Sequence, residues 1–108
     1  MEQQIEAELV QARAAQRQGS LGQARVCARR AAALAIRAWS GQSGDALKQL
    51  RLLEADLVQP ESVRSAARRL ATKVDYNHQL PFDNDPIEDA RIIVAHLTPA
   101  SGTPSPDT

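Results

Sequence analysis

The stretch Ser20–Trp39, SLGQARVCARRAAALAIRAW, constrains the fold of this chain more than any other. Leu21, Ala24, Ala28, Ala31, Ala35 and Ala38 recur at alternating spacings of three and four, which lays them along one stripe of an α-helix. Cys27 and Leu34 lie beside that stripe. A row of methyl groups lets neighbouring helices approach to the short end of the ~8–10 Å interaxial range, so this helix is expected to be central. Arg25, Arg29, Arg30 and Arg37 fall off the stripe and are expected outside. Ser20 with Gln23 three residues on reads as a capping box. Ser40-Gly41-Gln42-Ser43-Gly44 is a turn cluster that ends the helix.

The flanking segments are also helical in pattern. Residues 2–18 carry Ile5, Leu9, Ala12 and Ala15 or Gln16 at helical spacing, acids in the first turns and Arg13 and Arg17 near the end. Gly19 suits the position just past a helix. The connection to Ser20 is so short that the first two helices form an antiparallel hairpin. Residues 45–57 make a shorter helix with Ala46, Leu47, Leu50, Leu53 and Leu57 on its apolar face. Pro60 suits the first turn of a fourth helix that runs to about Val74. There Val63, Ala66, Ala67, Leu70, Ala71 and Val74 point inward, and Arg64, Arg68, Arg69 and Lys73 outward. Residues 75–84 read as a loop whose Tyr76, Leu80 and Phe82 fold back over the bundle. Asp85-Pro86-Ile87-Glu88 starts a last helix, with Asp85 as N-cap and Pro86 at N1. It ends near Leu97, and residues 99–108 read as a disordered tail. The expected fold is all-α: one antiparallel bundle of four to five helices over residues 1–98.

Composition narrows the function classes. Aromatic residues make up 3% of the 108-residue chain, and β-branched residues are sparse outside the helical patterns, which argues against a sheet. Lys+Arg and Asp+Glu are both 13, so net charge demands neither nucleic acid nor a membrane surface. The lone Cys27 allows no intrachain disulfide and reads as a small core residue. With no apolar leader at MEQQIEAE and no run of ~18 apolar residues, a soluble cytoplasmic protein is expected.

Three constellations bear on chemistry. Arg91 and His96 stand five apart on the last helix. Such a pair suits phosphodiester chemistry, the arginine holding developing negative charge and the histidine moving protons. Five residues turn a helix by about 500°, so the two side chains diverge by ~140° and converge only across two subunits or a bend. Ile92 shares the outward face with His96, which suggests that another subunit or the 75–84 loop covers it. The second constellation is basic: Arg25, Arg29 and Arg30 with Arg64, Arg68 and Arg69 form a candidate binding surface for an acidic partner or a phosphate backbone. No aromatic residue interleaves with them, so a single-strand stacking platform is not supported. The third is the oxygen-donor set Asp75, Asn77, Asp83 and Asp85, whose spacing is not that of a calcium loop. His78, His96 and Cys27 show no zinc spacing. No metal and no cofactor are expected.

Ala12, Gly19 and the run Ala24-Arg25-Val26-Cys27-Ala28-Arg29-Arg30-Ala31, followed by a last helix with Asp85-Pro86 and Arg91-x4-His96, resemble a HEPN-type domain. The resemblance covers about residues 2–98. It implies a bacterial or archaeal helical bundle. In that family an Arg-x4–6-His motif marks metal-independent ribonucleases, often dimeric toxins of toxin–antitoxin pairs, while other members bind partners without catalysis. Carried over, the motif falls on Arg91 and His96. Catalytic members usually have a polar residue after the arginine, where this chain has Ile92. The leading expectation is therefore a non-enzymatic, homodimeric interaction domain that binds a partner protein, a nucleotide or RNA. The alternative is a ribonuclease using Arg91 and His96. A tetratricopeptide-like adaptor, suggested by Gln18-Gly19-Ser20-Leu21-Gly22-Gln23-Ala24 followed by Ala28 and Ala31, ranks third for want of a second repeat.

Overall fold

A computed structural model describes residues 2–72 and 85–98. Among them the chain forms five helices in order: α1 (Glu2–Arg17), α2 (Leu21–Ser40), α3 (Ala46–Ala55), α4 (Glu61–Ala71) and α5 (Pro86–Leu97). No strand occurs among the described residues, and the architecture is an all-α bundle. None of these helices is long and apolar enough to cross a membrane. The expected 75–84 loop, its aromatic lid, Lys73, Val74, His78 and the 99–108 tail lie outside the described residues.

The α1–α2 hairpin closes on a Schellman motif. Gly19 takes φ +80°, the Ser20 N–H donates to the Ala15 carbonyl at 2.8 Å, and the Gly19 N–H donates to the Gln16 carbonyl at 3.1 Å. Glycine reaches this left-handed backbone without steric cost. The same motif corrects the expected capping box. Ser20 sits at φ −86°, ψ 72°, outside the extended region that aims an N-cap side chain at the helix, and it makes no side-chain cap bond. Gln23 instead donates from Nε2 to Cys27 Sγ at 3.5 Å.

Helix α2 packs against all four others, and Ala28, Ala31, Ala32, Ala35, Ile36 and Cys27 are fully buried in the core. The ends of its expected stripe are corrected: Leu21 is 65% exposed, and Ala38 is exposed as well. With 20 residues α2 outruns the 16, 10, 11 and 12 of its neighbours, so its ends overhang them. Gly41 closes α2 at φ +74°, its N–H donating to the Arg37 carbonyl at 2.8 Å.

Helix α3 begins on Asp45, whose Oδ1 accepts the Lys48 N–H at 2.8 Å. Its buried side includes Gln49, which donates from Nε2 to the Gln42 carbonyl at 2.7 Å and ties the preceding loop down. Leu57 was expected on the apolar face but is 78% exposed. The helix ends at Ala55, and the Asp56 Oδ1 accepts the Val58 N–H at 3.1 Å, a turn that swings Leu57 and Val58 outward. Pro60 stands at the N-cap of α4, one position before the expected one. Val63, Ala66, Ala67, Leu70 and Ala71 point into the core, as their spacing predicts. Helix α5 starts as expected on Asp85, whose Oδ1 accepts the Ile87 N–H at 2.9 Å and Gln16 Nε2–H at 3.1 Å.

Candidate functional site

The arginines divide into two sets, and the division corrects the expectation that all of them face outward. Arg25 is only 6% exposed. Its Nη2 donates to the carbonyls of Arg69, Leu70 (3.2 Å) and Thr72 (2.6 Å). These belong to the last turn of α4 and its C-cap Thr72, where the helix carbonyls run out of intrahelical partners and the dipole favours a cation. Burial pushes the Arg25 pKa down, the charge of Arg29 adds to that, and Asp89 opposes it. Arg64 does a similar service for α3, its Nε donating to the Glu54 carbonyl at 3.0 Å. Its Nη1 also stands 3.7 Å from Glu61.

Arg69 reaches across to α5. Its Nε lies 3.1 Å from both oxygens of Asp89 and its Nη2 2.8 Å from Oδ1, a bidentate pair. Asp89 is 2% exposed. The hydrogen bond to Asp89 holds the Arg69 pKa above its ordinary value, against a smaller effect of burial. Arg25 and Arg69 therefore serve the interior, Arg64 is tied to the end of α3, and the three do not form a free contact surface.

Arg29, Arg30 and Arg68 are the rest of the six expected binding residues. Arg29 is half-buried, and its Nε lacks a hydrogen-bond partner among the described residues. Arg68 and Arg30 are exposed. Arg30 joins a groove that the sequence did not suggest, lined by Glu8 of α1, Arg30, Ala33, Leu34 and Arg37 of α2, and Gly44 and Ala46 at the start of α3. The Arg30 Nη1 stands 3.9 Å from Glu8 Oε1. Ala33, Leu34 and Ala46 are its apolar lining. In the sequence Arg37 was legible only as a charge off the α2 stripe, and Glu8 only as an acid in the first turns of α1. The approach of Arg30 to Glu8 depends on the hairpin register, which sets α1 beside α2 at that level.

Arg91 and His96 do not meet within one chain. Arg91 is exposed and its Nη2 lies 4.0 Å from Glu6 of α1. The His96 Nε2 lies 2.9 Å from Gln59 Oε1, in the turn before α4. The two side chains engage different neighbours, as their angular separation on the helix requires. Ile92 is corrected too: it is half-buried against the core of its own chain, so it gives no evidence of a covering subunit. Asp85 acts as a helix cap, and no group of three or more metal-ligating side chains occurs among the described residues. Cys27 is fully buried, as a core residue would be.

No known protein family, curated protein or solved structure matches the chain.

Proposed function

We propose that the chain is a non-enzymatic helical interaction domain, HEPN-like in organisation, that works as a homodimer and binds an acidic partner protein through the outer face of α2. The observation that carries this reading is the position of Arg30 and Arg37. Both are exposed, both line one groove, and Arg37 makes no ion pair or side-chain hydrogen bond among the described residues, while Arg25 and Arg69 are held largely inside and the half-buried Arg64 is tied to Glu54 and Glu61. Exposed guanidiniums beside apolar side chains, one of them (Arg37) without a partner among the described residues, suit carboxylates on a partner surface. The separation of Arg91 from His96 within the chain weighs against a preassembled acid–base site.

Titration with a poly-glutamate peptide tests the partner reading. Binding that weakens with salt and is lost in Arg30→Ala/Arg37→Ala supports it. Absence of binding at low salt contradicts it. An RNA-cleavage assay comparing wild type with His96→Ala tests the non-enzymatic part. Cleavage by the wild type that His96→Ala abolishes would replace this reading with a ribonuclease assembled across the dimer.

A further inference from the structure

The groove and the two most exposed large apolar residues of the described chain sit at opposite ends of α3. At its start, Ala46 borders the groove of about 240 Å³ together with Ala33, Leu34 and Arg37 of α2. Just past its end, Leu57 and Val58 are 78% and 88% exposed. Ten residues of helix set the two features about 15 Å apart. The groove is open and smaller than a pocket that encloses a ligand, but an open apolar depression can seat a protruding apolar turn. The charges on the two features are opposite. Arg30 and Arg37 flank the groove, whereas residues 52–63 around the turn hold Glu54, Asp56 and Glu61 and no base. On the helix between them, Lys48, Arg51 and Glu54 recur every three residues along one ridge. Neither the Lys48 ammonium nor the Glu54 carboxylate makes an ion pair or a side-chain hydrogen bond among the described residues.

We infer that the occupant of the groove is the Leu57–Val58 turn of a second copy of this chain, the two α3 helices running antiparallel across a twofold axis at Arg51. Lys48 and Glu54 stand equally far from Arg51 in sequence, so Lys48 of each copy meets Glu54 of the other. One step further out, Leu57 and Val58 of each copy reach the Ala33, Leu34 and Ala46 lining of the other. The exposed Glu61, just beyond the turn, then comes to Arg37. Arg51 nears its own copy, a repulsion that the two Lys48–Glu54 pairs offset. Because groove and turn belong to the same helix, both contacts form at once, and the assembly closes as a dimer instead of growing into a filament. The inference rests on the proposed homodimer and the proposed role of the Arg37 face: the acidic protein surface that this face recognises is the turn of the second copy.

Sedimentation equilibrium of the full chain tests it with two charge reversals, Lys48→Glu and Glu54→Lys. The first puts an acid near the start of α3 and the second a base near its end, both of which suit the helix dipole, and circular dichroism checks that helicity is kept. Each variant alone sets like charges against each other twice per dimer, so its dimer Kd should rise at least roughly tenfold. An equimolar mixture of the two restores both pairs and should associate as tightly as wild type. Leu57→Ser, a change at an exposed position, should weaken the dimer without lowering the melting temperature. A dimer whose Kd none of these variants moves overturns the inference and leaves the homodimer reading standing. A mixture that associates as weakly as its components alone also overturns the inference. A wild-type chain that stays monomeric at tens of micromolar retires the inference and the homodimer reading together.

Discussion

At the scale of single residues, the polar groups that matter most to stability are inside. Asp89 is nearly inaccessible and is paired in bidentate fashion with Arg69. Asp89→Ala should cost about 3–5 kcal/mol, because it strands a largely buried guanidinium rather than merely deleting a bond. Urea denaturation measures this. A double-mutant cycle with Arg69→Met should recover part of the loss, since the orphaned charge is then gone. Both residues were visible in the sequence, but their polarity hid their position. Asp89 stands four residues before Ile93 and eight before Leu97, on the stripe that enters the core. Arg25 likewise stands three before Ala28 and seven before Ala32. Reading such a stripe by geometry alone, without first discarding charged residues, would have placed both inside. The burial of Gln49, four before Leu53, follows the same rule.

At the scale of elements, α2 is the helix on which the others converge, and its close approach depends on alanine. Ala28→Leu and Ala31→Leu should each destabilise by about 1–3 kcal/mol through overpacking, read from thermal melts. The helix ends divide into legible and illegible ones. Gly19, Gly41 and the Asp85-Pro86 start follow from local chemistry that a single sequence carries. Gly41→Ala should cost about 1 kcal/mol, because a side chain there meets the left-handed backbone penalty. The C-termini of α3 and α4 were not legible. Their carbonyls are taken by Arg64 and Arg25, which come from other helices, and for Arg25 the distance in sequence is 44 residues or more. No local pattern records such a partner. The exposure of Leu57 has the same origin: an Asp56 turn ended α3 before the apolar spacing did.

At the scale of the whole molecule, the bundle follows from apolar periodicity, and the groove does not. Ile5, Leu9, Ala12 and Ala15 of α1 and the apolar face of α4 enter the core as their spacings predict. The groove joins Glu8, Arg37 and Ala46 from three helices, so it exists only once the hairpin and the α2–α3 turn are folded. Self-association also belongs to this scale. Sedimentation equilibrium at tens of micromolar should give twice the chain mass if the homodimer proposal holds, and a single-chain mass counts against it. Exposed Val10, Leu21, Leu57 and Val58 are available to such a contact.

The arginines of α2 are of two kinds: Arg25 is buried and holds the end of α4, and Arg37 is exposed, as the proposed contact requires. The most direct measurement is the urea unfolding free energy of Arg25→Ala beside that of Arg37→Ala. Arg25→Ala should lose about 2 kcal/mol or more, since several carbonyls at the end of α4 lose their charged donor. Arg37→Ala should stay within about 0.5 kcal/mol of wild type, as an exposed substitution does. An Arg25→Ala protein as stable as wild type, or an Arg37→Ala protein that loses as much as Arg25→Ala, would contradict that division.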